Sequence, residues 1–414
     1  MTKRIQYLVA LVVSVFLLSS CQSDNQRESQ VAKAYNAQRA KLEKEKQEKA
    51  AKMMQLSEEA KDNFYYQQLD SKSDREAYIL LSYGLSEFES YIELPELSEE
   101  SEYRVYTSVA NDYPEFYWMS EALRDGLYTP EIVSPTYPVY VQETYRLLQS
   151  IGDQIVSQLP QGSDYDKVKY IYEYIINQTD YNVAALTDDA ESWKGQGIKS
   201  VLVDKLSVCA GYSRTFQFLC EKAGINSIYV TGVIEGSPYE NNSHAWNLVE
   251  IDGQYYGIDA TWGDPIFEGE MNEQISSSIN YNYLCVPEQI LHISHKPDKD
   301  LLDFWGDYYH SIQELDYPAF TDNSLNYFVL NGSYFESFDT AAISNLVINR
   351  ASDPSVQQIE MQFATKQALD QMVAEAGREG NFIFQAFDSV FGFTETYEYE
   401  WEDHTYTFRI KNWR

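Results

Sequence analysis

The sequence predicts an α+β protein: a mixed core preceded by a helical region and followed by a small second α+β domain. Three patterns carry that reading. After Ser163, residues Val168, Ile171, Tyr172 and Ile175 recur at i, i+3, i+4 and i+7, one apolar helical face. Asp252-Gly253 stands between two alternating runs, the preferred two-residue hairpin turn. TYEYEWEDHTYTFRI alternates at period two on both sides of a turn at Asp403 and His404.

The 414 residues are 44% hydrophobic and 15% aromatic, a globular composition, with 64 Asp+Glu against 31 Lys+Arg and a net charge of -33. The excess of acid lies beyond residue 63. Such a surface repels phosphate backbones and anionic headgroups, so no nucleic-acid partner is expected, and membrane attachment has to be hydrophobic or covalent.

In chain order, Lys3 and Arg4 precede an apolar run from Tyr7 to Leu18, shorter than the roughly 17 to 25 residues that cross a bilayer. Residues 1–20 therefore read as a signal peptide. Leu18-Ser19-Ser20-Cys21 resembles the lipobox of bacterial lipoproteins, which implies a lipidated Cys21 and a protein held on the outer face of a cell membrane, with the membrane itself as a partner. Setting Cys21 aside leaves Cys209, Cys220 and Cys285, an odd number, so at least one thiol is unpaired within the chain.

Residues 21–63 contain AKLEKEKQEKAAKMM and no sustained apolar face, which predicts a solvated, partly helical stalk. Residues 64–159 form an aromatic-rich helical region, with helices in DREAYILLSYGLSEFESYI and VQETYRLLQSIGDQIVSQL. Residues 160–310 form the core. In the C-terminal domain, 311–414, the patterns predict a helix near Thr340 to Asn349, a strand from Ile359 to Phe363, a helix near Lys366 to Ala376 and the terminal hairpin. The acidic run SEESE at 98–102 reads as a solvated face.

The chemistry concentrates in KLSVCAGYSRTFQFLCEKAGI and SHAWNLVEIDGQYYGIDATWGDP. Ser207 is placed to cap a helix with Tyr212, Phe216, Leu219, Cys220 and Ala223 on its apolar side and Gly224 as its stop. Cys209 then lies in the first turn, where unpaired N–H groups and the positive end of the helix dipole favour thiolate over thiol. Cys220 follows on the same helix at about 16 Å, too far for a disulfide with Cys209. Around Asp252-Gly253, partners pair Ile251 with Gln254, Trp246 with Asp259 and His244 with Thr261, which makes His244 and Asp259 diagonal neighbours on one face. A cysteine, a histidine and an orienting acid are the parts of a thiol acyl-transfer site.

Val208-Cys209-Ala210-Gly211-Tyr212-Ser213, His244-Ala245-Trp246-Asn247 and Asp259-Ala260-Thr261-Trp262-Gly263-Asp264-Pro265 resemble the core of the bacterial transglutaminase-like superfamily. Tyr281 to Leu284 and the His295 region loosely continue the likeness, and DYPEFYW at 112–118 is similar to the helical region before the core in related secreted proteins. The resemblance implies a papain-like core with Cys209 as nucleophile, His244 as general base and acid, and Asp259 as the orienting acid. It also implies a peptidase, amidase or amine-transferring enzyme acting on protein without a cofactor, and the expected location alone adds envelope peptides as candidates; inactive members of the superfamily serve as binding modules, and that is the competing reading. Gly211, Tyr212, Trp246 and Trp262 are the candidate cleft residues, Gly211 because it admits a substrate backbone, while core packing accounts equally well for the two tryptophans. His292 and His295 stand three apart, but no other Cys, His or acidic cluster beside them completes a metal set, so no metal is expected.

Overall fold

The structure, a computed structural model, describes residues 24–89, 91–119, 139–188, 191, 194–237, 242–264, 279–301, 314–394 and 396–413; the signal segment, Cys21 and Pro265 lie outside them. The chain divides into two compact units at Asp62/Asn63.

In the first unit, helix α1 runs unbroken over Asp24–Glu59, so most of the stalk segment is one α-helix. Its surface is mostly exposed and carries i,i+4 pairs such as Lys41–Glu45 (3.8 Å) and Lys44–Glu48 (3.4 Å), each worth about 0.3–0.5 kcal/mol. No described helix is long and apolar enough to cross a membrane.

The second unit opens with α2 (Lys72–Ser86) and α3 (Glu99–Asp112). The run predicted through Ile92 ends as a helix at Ser86. SEESE is more than a solvated face: Ser98 caps α3, and Glu99, Glu100 and Glu102 occupy its first turn, where carboxylates oppose the positive helix end. In DYPEFYW, Asp112 closes α3, residues 113–117 are not helix and Trp118 is helical again; the buried Asp112 carboxylate accepts the N–H groups of Tyr65 and Tyr66 and the hydroxyl of Tyr78.

Then come α4 (Val139–Val156), α5 (Asp164–Gln178) and α6 (Cys209–Lys222). Ser163 caps α5 in a reciprocal capping box with Asp166. Val168, Ile171, Tyr172 and Ile175 are all fully buried, in one cluster with Tyr212, Phe216, Leu219 and Cys220 of α6. At about 1.5–3 kcal/mol per fully buried large apolar side chain, this seam fixes the two helices against the sheet. Arg214, also on α6, donates to the carbonyl of Ala110 and to Asn111 Oδ1 (3.0 Å), tying the end of α3 to the core.

The core sheet has strands β1 (Ser227–Ile234), β2 (Ser243–Ile251), β3 (Gln254–Ile258), β4 (Leu284–Val286) and β5 (His295–Pro297), in the order β4-β3-β2-β1-β5, with every pair antiparallel. Asp252 (φ 53°) and Gly253 (φ 77°) make the β2–β3 turn, and the pairing runs from Ile251–Gln254 to Asn247–Ile258 in the register read from the sequence.

The C-terminal region forms a second sheet from β6 (Tyr334–Phe335), then α7 (Thr340–Ala351), β7 (Gln358–Phe363), α8 (Lys366–Ala376), α9 (Phe382–Phe391), β8 (Glu398–Glu402) and β9 (Thr407–Lys411). Strand order is β8-β9-β7-β6. The hairpin loop is longer than the expected pair at Asp403 and His404, since Glu402 pairs with Thr407. Ile343, Met361, Leu369, Ile383 and Phe408 fill its separate core.

Candidate active site

Cys209 is the first residue of α6, and Val208 is the N-cap rather than Ser207. The Ser207 hydroxyl is engaged elsewhere, 2.6 Å from the Ser200 hydroxyl and 3.1 Å from the Gly195 carbonyl, so the helix begins one residue later than expected. Two bonds hold α6 on β2: the Ser213 hydroxyl donates to the Ala245 carbonyl (2.9 Å), and Asn247 Nδ2 donates to the Ser213 carbonyl (3.1 Å). Cys209, half-buried, is thereby brought beside His244 near the start of β2.

Strand β3 ends at Ile258, and Asp259 turns inward from the position after it. His244 Nε2 lies 2.7 Å from Asp259 Oδ2. Burial works against charge on His244, but the adjacent Asp259 carboxylate outweighs it, and with a contribution from the Cys209 side chain the imidazole is pushed up to about 10. Asp259 is fully buried; burial alone would raise it, yet His244 and His295 together hold it well below the usual carboxylate range. Because Nε2 faces Asp259, Nδ1 is the nitrogen left for the thiol. Exposure falls inward from half-buried Cys209 to His244 at 8% and Asp259 at 0%, so solvent meets the sulfur first.

The candidate cleft residues separate. Gly211 does not face a substrate: a Cβ there would sit 2.1 Å from Ser207 Oγ and 2.3 Å from the Gly195 carbonyl oxygen, so its missing side chain lets α6 close on the preceding loop. Tyr212 is fully buried, and its hydroxyl donates to Asp264 Oδ2 at 2.6 Å. Trp246, 1% exposed, is core beneath the site, with its ring stacked 6.2 Å from His244. Trp262 is half-buried with its ring 6.0 Å from that of His244. Cys220 and Cys285 are free and fully buried, and burial pushes both thiols up.

The structure corrects the reading of the two C-terminal core histidines. The helical turn Glu288–Leu291 stops before His292, so the pair shares no helix, and His292 packs edge-on against Phe320. His295 opens β5 and does have polar neighbours: its Nε2 lies 3.0 Å from Asp259 Oδ2 and its ring centroid 5.4 Å from that of His244. His244, Asp259 and His295 offer donor atoms within 4.8 Å of one another, a set with the chemistry to bind a transition metal. Direct hydrogen bonds at 2.7 and 3.0 Å already satisfy those atoms. No sequence pattern pointed to this role for His295; the loose continuation of the family likeness through its segment was the nearest signal.

A family model described as the transglutaminase-like superfamily matches residues 152–260. Kyphoscoliosis peptidase of Homo sapiens is 27% identical over 156 residues, 35% of this chain and 23% of that protein. Its Mus musculus counterpart is 28% identical over the same length and the same shares. The chain therefore spans about a quarter of the length of these curated relatives. A crystal structure described as a TGase aligns with 21% identity and a TM-score of 0.27 over 36% of this chain and 38% of that one.

Proposed function

We propose that this chain, whose residues 152–260 match the transglutaminase-like superfamily, catalyses acyl transfer at amide bonds through a thioester on Cys209 as a papain-like cysteine hydrolase or transferase. The Cys209 sulfur attacks the amide carbonyl carbon while His244 holds the proton at Nδ1. The C–N bond breaks, His244 gives that proton to the departing amine, and an acyl-thioester remains. Water or a second amine then attacks the thioester, His244 takes its proton, and the sulfur leaves. Water yields a peptidase or amidase, and an amine yields a cross-linking transferase. Asp259 keeps Nε2 of His244 engaged and stabilises the imidazolium. The N–H groups of the first turn of α6 lie at the end of the helix where the carbonyl oxygen gains charge.

The observation that carries this reading is the 2.7 Å His244–Asp259 contact beside Cys209 at a helix start. The Leu18-Ser19-Ser20-Cys21 segment supports a lipid anchor on Cys21 and envelope peptides as the substrate class within reach. The test is incubation of the mature protein with envelope extract, with and without an added fluorescent amine, and identification of products by mass spectrometry. New amine termini or amine-labelled peptides that vanish with Cys209→Ala support the proposal; product patterns identical for parent and variant reject it.

A further inference from the structure

We propose that His295 is a positioning residue of the site: a neutral imidazole whose Nε2–H holds Asp259 in the one orientation that serves His244. This deepens the proposed function and rests on it.

The Asp259 carboxylate accepts from four groups among the described residues, and they divide by oxygen. Oδ1 accepts the backbone N–H groups of Thr261 (2.8 Å) and Trp262 (3.2 Å). Oδ2 accepts His244 Nε2 (2.7 Å) and His295 Nε2 (3.0 Å). The backbone pair fixes Oδ1, but the direction in which Oδ2 points depends on both imidazoles. His244 is the group that shuttles protons in the proposed reaction, so its bond to Oδ2 changes strength with each half-reaction. A second donor that does not change keeps the carboxylate in place through both.

His295 has the surroundings of such a donor. Its other nitrogen, Nδ1, lies 2.9 Å from the Ser294 hydroxyl, which donates to it when the ring carries its proton on Nε2. The ring is fully buried, edge-on to Trp246 at 5.0 Å and to Trp262 at 4.9 Å, with Tyr283 at 5.9 Å. Burial opposes its charged form most strongly; of the titratable groups around it, Asp259 favours that form and His244 and His292 oppose it, and the balance holds the ring below the usual histidine range. One imidazolium already neutralises Asp259, and a second at 5.4 Å would gain little.

The backbone is built to bring this ring in. Gly232 of β1 pairs with His244 on one side and with Pro297 of β5 on the other. A Cβ at Gly232 would lie 2.1 Å from the Lys296 carbonyl oxygen and 2.6 Å from the Trp246 ring. The glycine thus admits both β5, which carries His295, and the tryptophan that its ring meets.

The test compares the full chain with His295→Ala and His295→Gln, reading iodoacetamide alkylation of Cys209 at neutral pH, the NMR titration of His244, and thermal unfolding. Positioning predicts a loss of about ten- to a hundredfold in alkylation rate for His295→Ala, the usual scale for removing an outer-shell partner. It also predicts a His244 midpoint shifted below that of the parent, with both effects recovered in His295→Gln, whose side-chain N–H reaches the same oxygen. A His295→Ala protein with the parental rate and parental His244 midpoint, at whatever melting temperature, overturns the proposal. Should His295→Ala fail to fold, the parent decides. At about pH 6.5, the reference histidine pKa, its His295 nitrogen shifts should be mainly those of a neutral Nε2–H ring, and a predominant imidazolium or Nδ1–H ring there overturns the proposal. Failure of the underlying function is separable, because it shows as a parent protein whose Cys209 is no more reactive than an ordinary thiol.

Discussion

The Tyr283 hydroxyl donates to the carboxylate of Glu402, so the end of β8 in the C-terminal sheet is bonded to the segment entering β4 of the core. Asn282 Nδ2 reaches the same carboxylate at 2.6 Å. The Tyr283 ring in turn meets Trp262 edge-on at 5.2 Å, and Trp262 also lies 6.5 Å from His404 in the β8–β9 loop. The C-terminal sheet therefore buttresses the Trp262 ring beside His244.

Glu402→Ala removes the carboxylate that the buried Tyr283 hydroxyl and the Asn282 amide share, while the amide keeps Thr405 Oγ1 at 3.2 Å. The expected cost is about 1–3 kcal/mol of stability, seen as a lower urea midpoint, with most of it recovered in Glu402→Gln. An unchanged midpoint for Glu402→Ala would remove the buttress from the account.

Cys209→Ala should abolish labelling by a thiol-directed probe in the folded protein, because Cys220 and Cys285 are fully buried and burial holds their thiols protonated. The fold should persist, since alanine suits a first helical turn. Mass spectrometry of the labelled protein checks this, and a modified Cys220 or Cys285 in the native variant contradicts it.

Asp259→Asn removes the charge that pushes His244 up to about 10. His244 should then lose its proton at much lower pH, so the alkaline limb of acyl transfer moves down toward neutrality, and the rate falls by up to about 10⁴, as in an analogous triad. A pH–rate profile of parent and variant reads both effects. An alkaline limb left in place would mean that Asp259 does not govern the imidazole.

The parts of this architecture set by local chemistry were legible in the sequence. Asp252-Gly253 fixed the register that brings His244 to Asp259, because both residues adopt the positive φ that this turn requires. Ser163 and the apolar spacing through Ile175 marked α5 and its buried face. What escaped depends on contacts between distant segments. Ser207 resembles a cap, but its hydroxyl is claimed by Ser200 and Gly195, and no local pattern reveals that competition. Strand β5 spans only His295–Pro297, too short to show a period, so the histidine that meets Asp259 could not be assigned to the sheet. The phenylalanine-rich α9, capped by Asn381, is only ten residues long, and its polar face is the narrow stripe Gln385, Asp388 and Ser389, too little to mark a surface helix among so many apolar residues.

The proposed lipid anchor predicts a change of location without a change of chemistry. Cys21→Ser should move the protein from the membrane fraction to precursor or medium, since a serine offers no sulfur for acylation, while Cys209 labelling persists. Membrane retention of a processed Cys21→Ser protein would assign the attachment to another segment.

Asp112 predicts how stability varies with pH. Burial pushes its carboxyl up to about 7, although Tyr65 N–H, Tyr78 Oη and Tyr66 N–H all favour the ionised form. In the unfolded chain the same group titrates near the reference value of about 3.9, so the folded state binds the extra proton between these values. Its stabilising contribution is complete below about pH 4 and is lost as pH rises through 7, at about 1.4 kcal/mol per pH unit. His244, raised to about 10, acts with the same sign at higher pH: its contribution is complete below about 6.5 and is lost as pH passes through the folded value. Asp259, held low, acts with the opposite sign, and its contribution is lost only as pH falls below the usual carboxylate range. Stability should therefore peak in mildly acidic solution and decline toward pH 8. Urea unfolding across this range measures the slope, and Asp112→Asn should flatten it between about pH 5 and pH 7 by the equivalent of one proton. A slope unchanged in that variant would show that the proton is taken up elsewhere in the fold.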